Sequence, residues 1–284
     1  MHMKTKLYLF CIALLAPLIA YGGCRIERKT MPCKLLKTIS EREYSICLPA
    51  SYSETDNRTY PVLYLLHGGG THHTEWEENG RLQTVVDSLV AQGCMEEMII
   101  ICPEANKNNM IWFNAPHWKY EDYFFQELMP YMEQHYKIKA EKRYRGVAGF
   151  SMGGGASVVY GIHHPELFTM VFDMSGYLRR QPMEFLKNDP SAEWRQQLVE
   201  DCNPIPVILK ATKEQVENWK TVRWFVDCGD KDFTLEVNMD LVKAFRQQGI
   251  DYEMRVMRAG AHDWGYWHTS LKMALVYFSW SICK

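Results

Sequence analysis

The sequence of 284 residues has no strong net charge, no internal repeat and no low-complexity segment. Its 32 lysine and arginine residues are balanced by 34 aspartate and glutamate residues, so nothing indicates a basic surface that would bind nucleic acid. With 47% hydrophobic residues the chain can form one large core, and residues 24–284 are predicted to be a single domain.

Patterns typical of metal sites are also missing. The nine cysteines are irregularly spaced without a Cys-x-x-Cys, and no pair among the ten histidines has the spacing of zinc ligands. We therefore expect no metal and no other cofactor. Cys47, Cys102 and Cys228 lie within apolar runs, where a buried thiol behaves as a small hydrophobe, so at most one or two disulfides are expected.

The N-terminus has the composition of a secretory signal. Two lysines precede the apolar run Leu7–Ile19, which is too short for a comfortable membrane span, and small residues follow it. Residues 1–23 are thus predicted to be a signal peptide, with the mature protein exported to the periplasm or the cell surface. Cys24 after two glycines also allows an outer-membrane lipoprotein with a lipid anchor on this residue. Because Tyr21 stands where such signals usually carry leucine, simple cleavage near Gly22 remains the alternative.

After this segment, strand-like and helix-like stretches alternate. Pro61–Leu66 is a nearly continuous apolar run, which is typical of a strand covered on both faces, and helical spacing follows in Leu82–Val90. The alternation predicts an α/β fold with a mostly parallel sheet and helices on both faces. Residues 177–221 break the rhythm and are predicted to form an insertion over the sheet, in the manner of a cap or lid.

The motif Gly149-x-Ser151-x-Gly153 lies between a short apolar run, which predicts a strand, and a predicted helix that runs through Val159. A strand, a sharp turn that carries serine, and a helix form a nucleophile elbow, in which the hydroxyl stands exposed at the helix N-terminus. The flanking glycines permit the tight bend, although small residues also occur at strand–helix junctions for packing alone. Ser151 is the candidate nucleophile, and it needs a base, an acid and an oxyanion hole.

Those partners follow other predicted strands, at the carboxyl ends where ligands gather in parallel sheets. A glycine-rich loop begins at His67, and the N–H groups of Gly69 and Met152 are the predicted oxyanion donors. His67 itself is expected to have a structural role beneath the loop. His262, which precedes the last helix, is the candidate base.

Three carboxylates could orient that base. Asp227 lies on a predicted strand, while Asp230 and Asp232 lie in the loop beyond it. We favour Asp232, with Asp230 as the alternative. The chain order Ser151, Asp232, His262 matches that of hydrolases with a nucleophile elbow.

In combination, these stretches resemble the feruloyl and acetylxylan esterase group of α/β-hydrolases, which includes the esterase D branch (S-formylglutathione hydrolase) and the mycobacterial mycolyltransferases. The resemblance runs from about Tyr44 to the C-terminus, and its most specific segments are Tyr60–Gly70, Gly149–Gly154, Cys228–Asp232 and Gly260–Trp264. It implies the α/β-hydrolase fold, Ser151 as nucleophile, Asp232 as acid and His262 as base.

The resemblance further implies a serine esterase that forms an acyl-enzyme. Combined with export, it suggests removal of feruloyl or acetyl groups from plant polysaccharides, so that the partner is a small ester or an acylated saccharide. Trp76, Trp112, Trp264 and Trp267 are predicted to lie near the cleft, where they could stack on a feruloyl ring or a sugar, with ordinary core packing as the alternative for each. An acyltransferase to a sugar, an inactive carbohydrate-binding protein and, less well supported, a peptidase are the alternatives.

Overall fold

The computed structural model describes residues 22–105, 111–180, 187–190 and 192–283. Nearly all of the predicted signal peptide therefore lies outside the described residues, as do positions 181–186 and 191 of the predicted insertion. In the described ranges, no helix has both the length and the apolar character needed to cross a membrane.

A mixed sheet of eight strands forms the centre of the described structure, in the order β1-β2-β4-β3-β7-β8-β9-β10. Strands β4 to β10 of this order run parallel, whereas β2 pairs antiparallel with both β1 and β4. Two further short strands, β5 and β6, form a separate antiparallel pair. The strands are β1 (Arg25–Pro32), β2 (Glu41–Leu48), β3 (Val62–Leu66), β4 (Ile99–Pro103), β5 (Asn114–Ala115), β6 (Trp118–Lys119), β7 (Arg145–Phe150), β8 (Met170–Met174), β9 (Arg223–Gly229) and β10 (Tyr252–Met257).

Helices cover both faces of the sheet. The α-helices of the described residues are α1 (Glu75–Glu78), α2 (Leu82–Ala91), α3 (Tyr120–Tyr123), α4 (Met129–His135), α5 (Met152–His163), α6 (Ala192–Asp201), α7 (Pro204–Leu209), α8 (Lys213–Trp219), α9 (Leu235–Gln248) and α10 (Trp264–Cys283). A π-helical turn, Phe124–Leu128, joins α3 to α4, and a 3₁₀ turn, Lys142–Tyr144, precedes β7. The predicted α/β-hydrolase fold is confirmed.

Side chains of β3 point alternately to the two faces of the sheet, and each face is covered by helices. Tyr64 packs into one apolar cluster with residues of α5 and α9, while Leu63 and Leu65 pack into a second cluster with residues of α2 and α10. All five residues of the strand are buried, so side chains on both faces of the sheet contribute hydrophobic stabilisation. Full burial of one such aliphatic side chain contributes about 1.5–3 kcal/mol to the free energy of unfolding.

The N-terminal edge strand is a feature that the sequence pattern did not reveal. Arg25–Pro32 pairs along its whole length with Glu41–Leu48, yet most of its side chains are exposed or half-buried. Cys24, just before it, is buried, and its N–H donates to Asp87 Oδ1 at 2.7 Å. All eight cysteines from Cys24 to Cys283 are free thiols.

The predicted insertion forms three helices, α6 to α8, among its described residues. Helix α7 contacts α9 and α5, so this segment packs on the helices that cover one face of the sheet, and α6 reaches the cavity above Ser151. Helix α8 begins with a capping box, in which the Thr212 hydroxyl accepts from Gln215 N–H and the Gln215 side chain accepts from Thr212 N–H.

Candidate active site

Ser151 occupies the turn between β7 and α5 with a backbone conformation that serine rarely adopts. Its φ is 55° and its ψ is −119°, and its N–H donates to Met174 O at 2.9 Å. Such a conformation costs about 1–3 kcal/mol in a residue with a side chain and is retained where the surrounding structure enforces it. The turn exposes the hydroxyl in a cavity at the carboxyl end of the parallel strands.

The two motif glycines are required by close backbone contacts around this turn. A Cβ atom on Gly149 would lie 2.5 Å from the carbonyl carbon of Gly153. A Cβ atom on Gly153 would lie 2.5 Å from His67 O and 2.6 Å from Leu66 O. The elbow therefore packs directly against the start of the glycine-rich loop, and a side chain at either glycine would separate the two.

The structure brings Ser151, His262 and Asp232 together in one hydrogen-bonded chain. His262 Nε2 lies 2.8 Å from Ser151 Oγ, and His262 Nδ1 lies 2.9 Å from Asp232 Oδ2 and 3.0 Å from Oδ1. The N–H and the hydroxyl of Thr234 both donate to Asp232 Oδ1, at 2.9 and 2.8 Å. These contacts fix the carboxylate while leaving Oδ2 for the imidazole.

The charge of Asp232 determines where the imidazole carries its proton. Burial by itself would raise the pKa of Asp232, but the hydrogen bond from His262, the charge of that ring and the Thr234 N–H together lower it. The carboxyl is thus ionised at neutral pH and can only accept, so Nδ1 of His262 is the protonated nitrogen. The lone pair of Nε2 then faces the Ser151 hydroxyl, which is the arrangement that a general base needs.

The other two carboxylates considered from the sequence do not contact the imidazole. Asp227 is fully buried at the end of β9, where it pairs with Arg255 Nε at 2.8 Å and accepts from Ser270 Oγ at 2.5 Å. Asp230 lies in the turn that follows, and its N–H donates to Met257 O. Of the three, Asp232 is therefore the partner of His262.

The predicted oxyanion donors lie beside the serine. Gly69 and Met152 both line the cavity together with Ser151. A Cβ atom on Gly69 would lie 2.5 Å from Met152 Sδ, so the glycine-rich loop and the first residue of α5 are in contact. Their N–H groups remain the candidate oxyanion hole.

A cavity of about 650 Å³ opens above these residues. One wall is aromatic, and a second wall comes from α6 and the residues just before it. The aromatic lining residues are Phe150, Tyr177, Phe233, Trp264 and Trp267, and the second wall consists of Asp189, Ala192, Arg195, Gln196 and Val199. Trp264 and Trp267 thus lie where the sequence predicted, and substrate contact by them stays a prediction.

The prediction that Trp76 and Trp112 bind substrate is wrong. Their side chains are 0% and 1% exposed, beneath the glycine-rich loop. The Trp76 indole N–H donates to Leu66 O at 3.3 Å, and the Trp112 indole N–H donates to His67 O at 3.1 Å. Both rings support the backbone that leads into the loop, because a buried carbonyl needs a donor.

Two parts of the cavity were missed in the sequence. Phe233 is 43% exposed, and its ring centroid lies 4.4 Å from that of His262. Its position directly after Asp232 was the signal that could have identified it. Arg195 and Gln196 belong to α6, in the segment where no pattern could be matched.

A parallel sheet with a nucleophile elbow, and a serine, histidine and aspartate from the ends of β7, β10 and β9, define an α/β-hydrolase. The family described as "Putative esterase" matches residues 37–278. The chain belongs to this esterase family, and the resemblance found in the sequence is confirmed. Among the described residues, no cluster of three or more histidine, cysteine, aspartate and glutamate side chains could hold a metal ion.

Relatives and solved structures agree with this family. A solved ferulic acid esterase is 34% identical with a TM-score of 0.84, and the match covers 92% of this chain and 99% of that one. The endo-1,4-beta-xylanase/feruloyl esterase of Xylanibacter ruminicola is 28% identical over 240 residues, or 81% of this chain and 28% of the relative. The acetyl esterase of Caldicellulosiruptor saccharolyticus is 22% identical, with 80% of this chain and 86% of the relative covered. The chain thus spans little more than a quarter of the Xylanibacter relative.

Proposed function

We propose that this chain is an exported serine esterase that removes feruloyl or acetyl groups from decorated plant polysaccharides. One observation carries the proposal: the His262 imidazole lies between Ser151 Oγ, at 2.8 Å, and the Asp232 carboxylate, at 2.9 Å, at the floor of a cavity. Since these distances are within hydrogen-bond reach, proton transfer requires no rearrangement of the three side chains.

In the first step, Ser151 Oγ attacks the ester carbonyl carbon while His262 Nε2 takes the hydroxyl proton. Asp232 holds the Nδ1 proton and stabilises the imidazolium that forms. The carbonyl oxygen becomes an oxyanion, which accepts from the N–H groups of Gly69 and Met152. The alcohol then leaves with the proton from His262, and Ser151 carries the acyl group.

In the second step, water replaces the alcohol. His262 takes a proton from the water, the resulting hydroxide attacks the acyl carbon, and the same two N–H groups stabilise the second oxyanion. Collapse of this intermediate returns the proton to Ser151 Oγ and releases the acid. Each oxyanion donor in such a site is worth about 3 kcal/mol of transition-state stabilisation.

The cavity supports an aromatic acyl group as substrate. Phe233 is exposed beside His262, and the ring of Trp267 also contacts the imidazole, at a centroid distance of 4.9 Å. Offset or edge contacts between aromatic rings contribute about 0.5–1.5 kcal/mol beyond their buried area. The relatives that are feruloyl or ferulic acid esterases support an aromatic acyl group, and the acetyl esterase supports the acetyl alternative.

A panel of esters tests the proposal and its alternatives. Methyl ferulate, p-nitrophenyl acetate and feruloylated or acetylated xylan oligosaccharides would be assayed with and without free sugar acceptors. We expect release of free ferulate or acetate with a preference for the aromatic acyl group. Products that carry the acyl group on the added sugar would instead establish a transferase, and turnover of peptide amides alone would refute the esterase proposal.

Export and the state of Cys24 need a separate test. The Cys24 side chain is buried, and its Sγ donates to Gln83 O at 3.8 Å, so a lipid on this sulfur would have to move it out of this contact. We propose that the N-terminal segment is removed on export, either before Cys24 with lipidation or near Gly22 without it. Mass spectrometry of the N-terminal peptide from membrane and soluble fractions distinguishes the two, and an intact Met1 would refute processing.

A further inference from the structure

The ring of His67 lies beneath the glycine-rich loop, and both of its nitrogens contact backbone groups. Nδ1 lies 2.8 Å from Gly68 O, and Nε2 lies 3.1 Å from the backbone nitrogen of Ala105. His67 is 1% exposed, so water cannot substitute for either contact. The proposed mechanism above gives this residue no part.

These partners fix the tautomer of the ring. The Ala105 N–H can only donate, so Nε2 must accept and carries no proton. Gly68 O can only accept, so Nδ1 must carry the proton and donate. Glu104 Oε1 is 3.6 Å from Nε2, farther away than the Ala105 nitrogen, and it does not replace that donor.

The Nδ1 proton of His67 is donated to Gly68 O, which belongs to the same peptide group as the Gly69 N–H, a proposed oxyanion donor. Gly68 C=O and Gly69 N–H are parts of one planar trans peptide, in which the two groups point in opposite directions. The Thr71 hydroxyl also donates to Gly68 O, at 3.0 Å. Two donors therefore hold the carbonyl on the buried side, and the Gly69 N–H must point to the opposite side.

We propose that His67 is a positioning residue, which aligns the Gly69 N–H for the oxyanion by donating from Nδ1 to Gly68 O. This rests on the proposed function, since it assigns a role within the same site. Glycine at 68 and 69 has no Cβ to restrict rotation of this peptide, so the orientation must come from hydrogen bonds. The Nδ1 donor and the Thr71 hydroxyl supply it.

Two variants of His67 separate the donor from the rest of the ring. In His67→Asn the amide nitrogen takes the place of Nδ1 and can donate to Gly68 O. In His67→Gln the amide oxygen reaches the place of Nε2 and can accept from Ala105 N–H, but the donor to Gly68 is lost. Both variants lose the ring and its packing on Trp112, whose centroid is 4.8 Å away, so each controls for the other.

For p-nitrophenyl acetate, we expect His67→Gln to lower kcat about 10- to 100-fold with little change in KM, because the oxyanion exists only in the transition states. His67→Asn should stay several-fold closer to the wild type. Inhibition by a trifluoromethyl ketone, which forms an oxyanion on Ser151, should weaken in the same order. Equal losses in the two variants, or a smaller loss in His67→Gln, would overturn the proposal.

A second pair addresses the same peptide if the His67 variants fail to fold. Thr71→Val removes the hydroxyl donor and should lower kcat several-fold, whereas Thr71→Ser should restore it. No difference between this pair would overturn the alignment argument. A wild type without activity on any ester would refute the proposed function instead, so the two failures are distinguishable.

Discussion

The replacement Asp232→Asn tests the orientation of the proposed catalytic base, His262, with almost no change in shape. Thr234 N–H and its hydroxyl both donate to Asp232 Oδ1, so an asparagine must place its oxygen there. Its NH₂ group then takes the place of Oδ2, which lies 2.9 Å from His262 Nδ1. A donor at this distance favours a lone pair on Nδ1, so the imidazole proton moves to Nε2. A protonated Nε2 cannot accept the hydroxyl proton of Ser151.

The expected loss follows from this change of tautomer. In Ser-His-Asp enzymes the corresponding replacement lowers kcat about 10⁴-fold, which is about 5.4 kcal/mol of transition-state stabilisation. Steady-state hydrolysis of p-nitrophenyl acetate measures it, with circular dichroism as a check on folding. Asp230→Asn is the matched control and should retain at least about a tenth of the wild-type kcat. Activity of Asp232→Asn within tenfold of the wild type, or an equal loss in Asp230→Asn, would refute the assignment.

Three further predictions concern stability. Gly153→Ala would place a Cβ 2.5 Å from His67 O, so we expect a loss of about 1–3 kcal/mol in urea unfolding together with lower activity. Trp76→Phe leaves Leu66 O without its indole donor and should cost about 1–3 kcal/mol, while kcat per folded molecule stays near that of the wild type. Asp232 has a folded-state pKa below its unfolded value of about 3.9, so its contribution is complete above that pH and is lost as pH falls through the folded pKa. The difference in unfolding free energy between the wild type and Asp232→Asn should therefore shrink below about pH 4, and a constant difference would contradict the linkage.

The residues that could be found from the sequence are those whose roles depend on local geometry. Ser151 lies in a turn that requires glycine at 149 and 153, so the motif that identifies the turn lies within five consecutive residues. His262 follows the last strand, so the order of the chain placed it at the correct edge of the sheet. The parallel sheet was likewise predictable, because strands buried on both faces are apolar at nearly every position.

The parts that were missed depend on contacts between distant segments. Trp76 and Trp112 follow strand ends in the chain, as cleft residues do. Their indole N–H groups nevertheless donate to the carbonyl groups of Leu66 and His67, and both rings are buried. The choice between Asp230 and Asp232 depends on how the loop turns toward His262. Strand Arg25–Pro32 was missed because an exposed edge strand lacks the apolar alternation of a covered one.

Everything proposed for this site depends on Ser151 being the nucleophile of an ester hydrolase. This assignment is tested most directly by comparing the wild type with Ser151→Ala on methyl ferulate and p-nitrophenyl acetate, after confirming that both proteins fold. We predict hydrolysis of both esters by the wild type and a loss of about 10⁴-fold or more in the variant. Hydrolysis by Ser151→Ala at a rate near that of the wild type would contradict it.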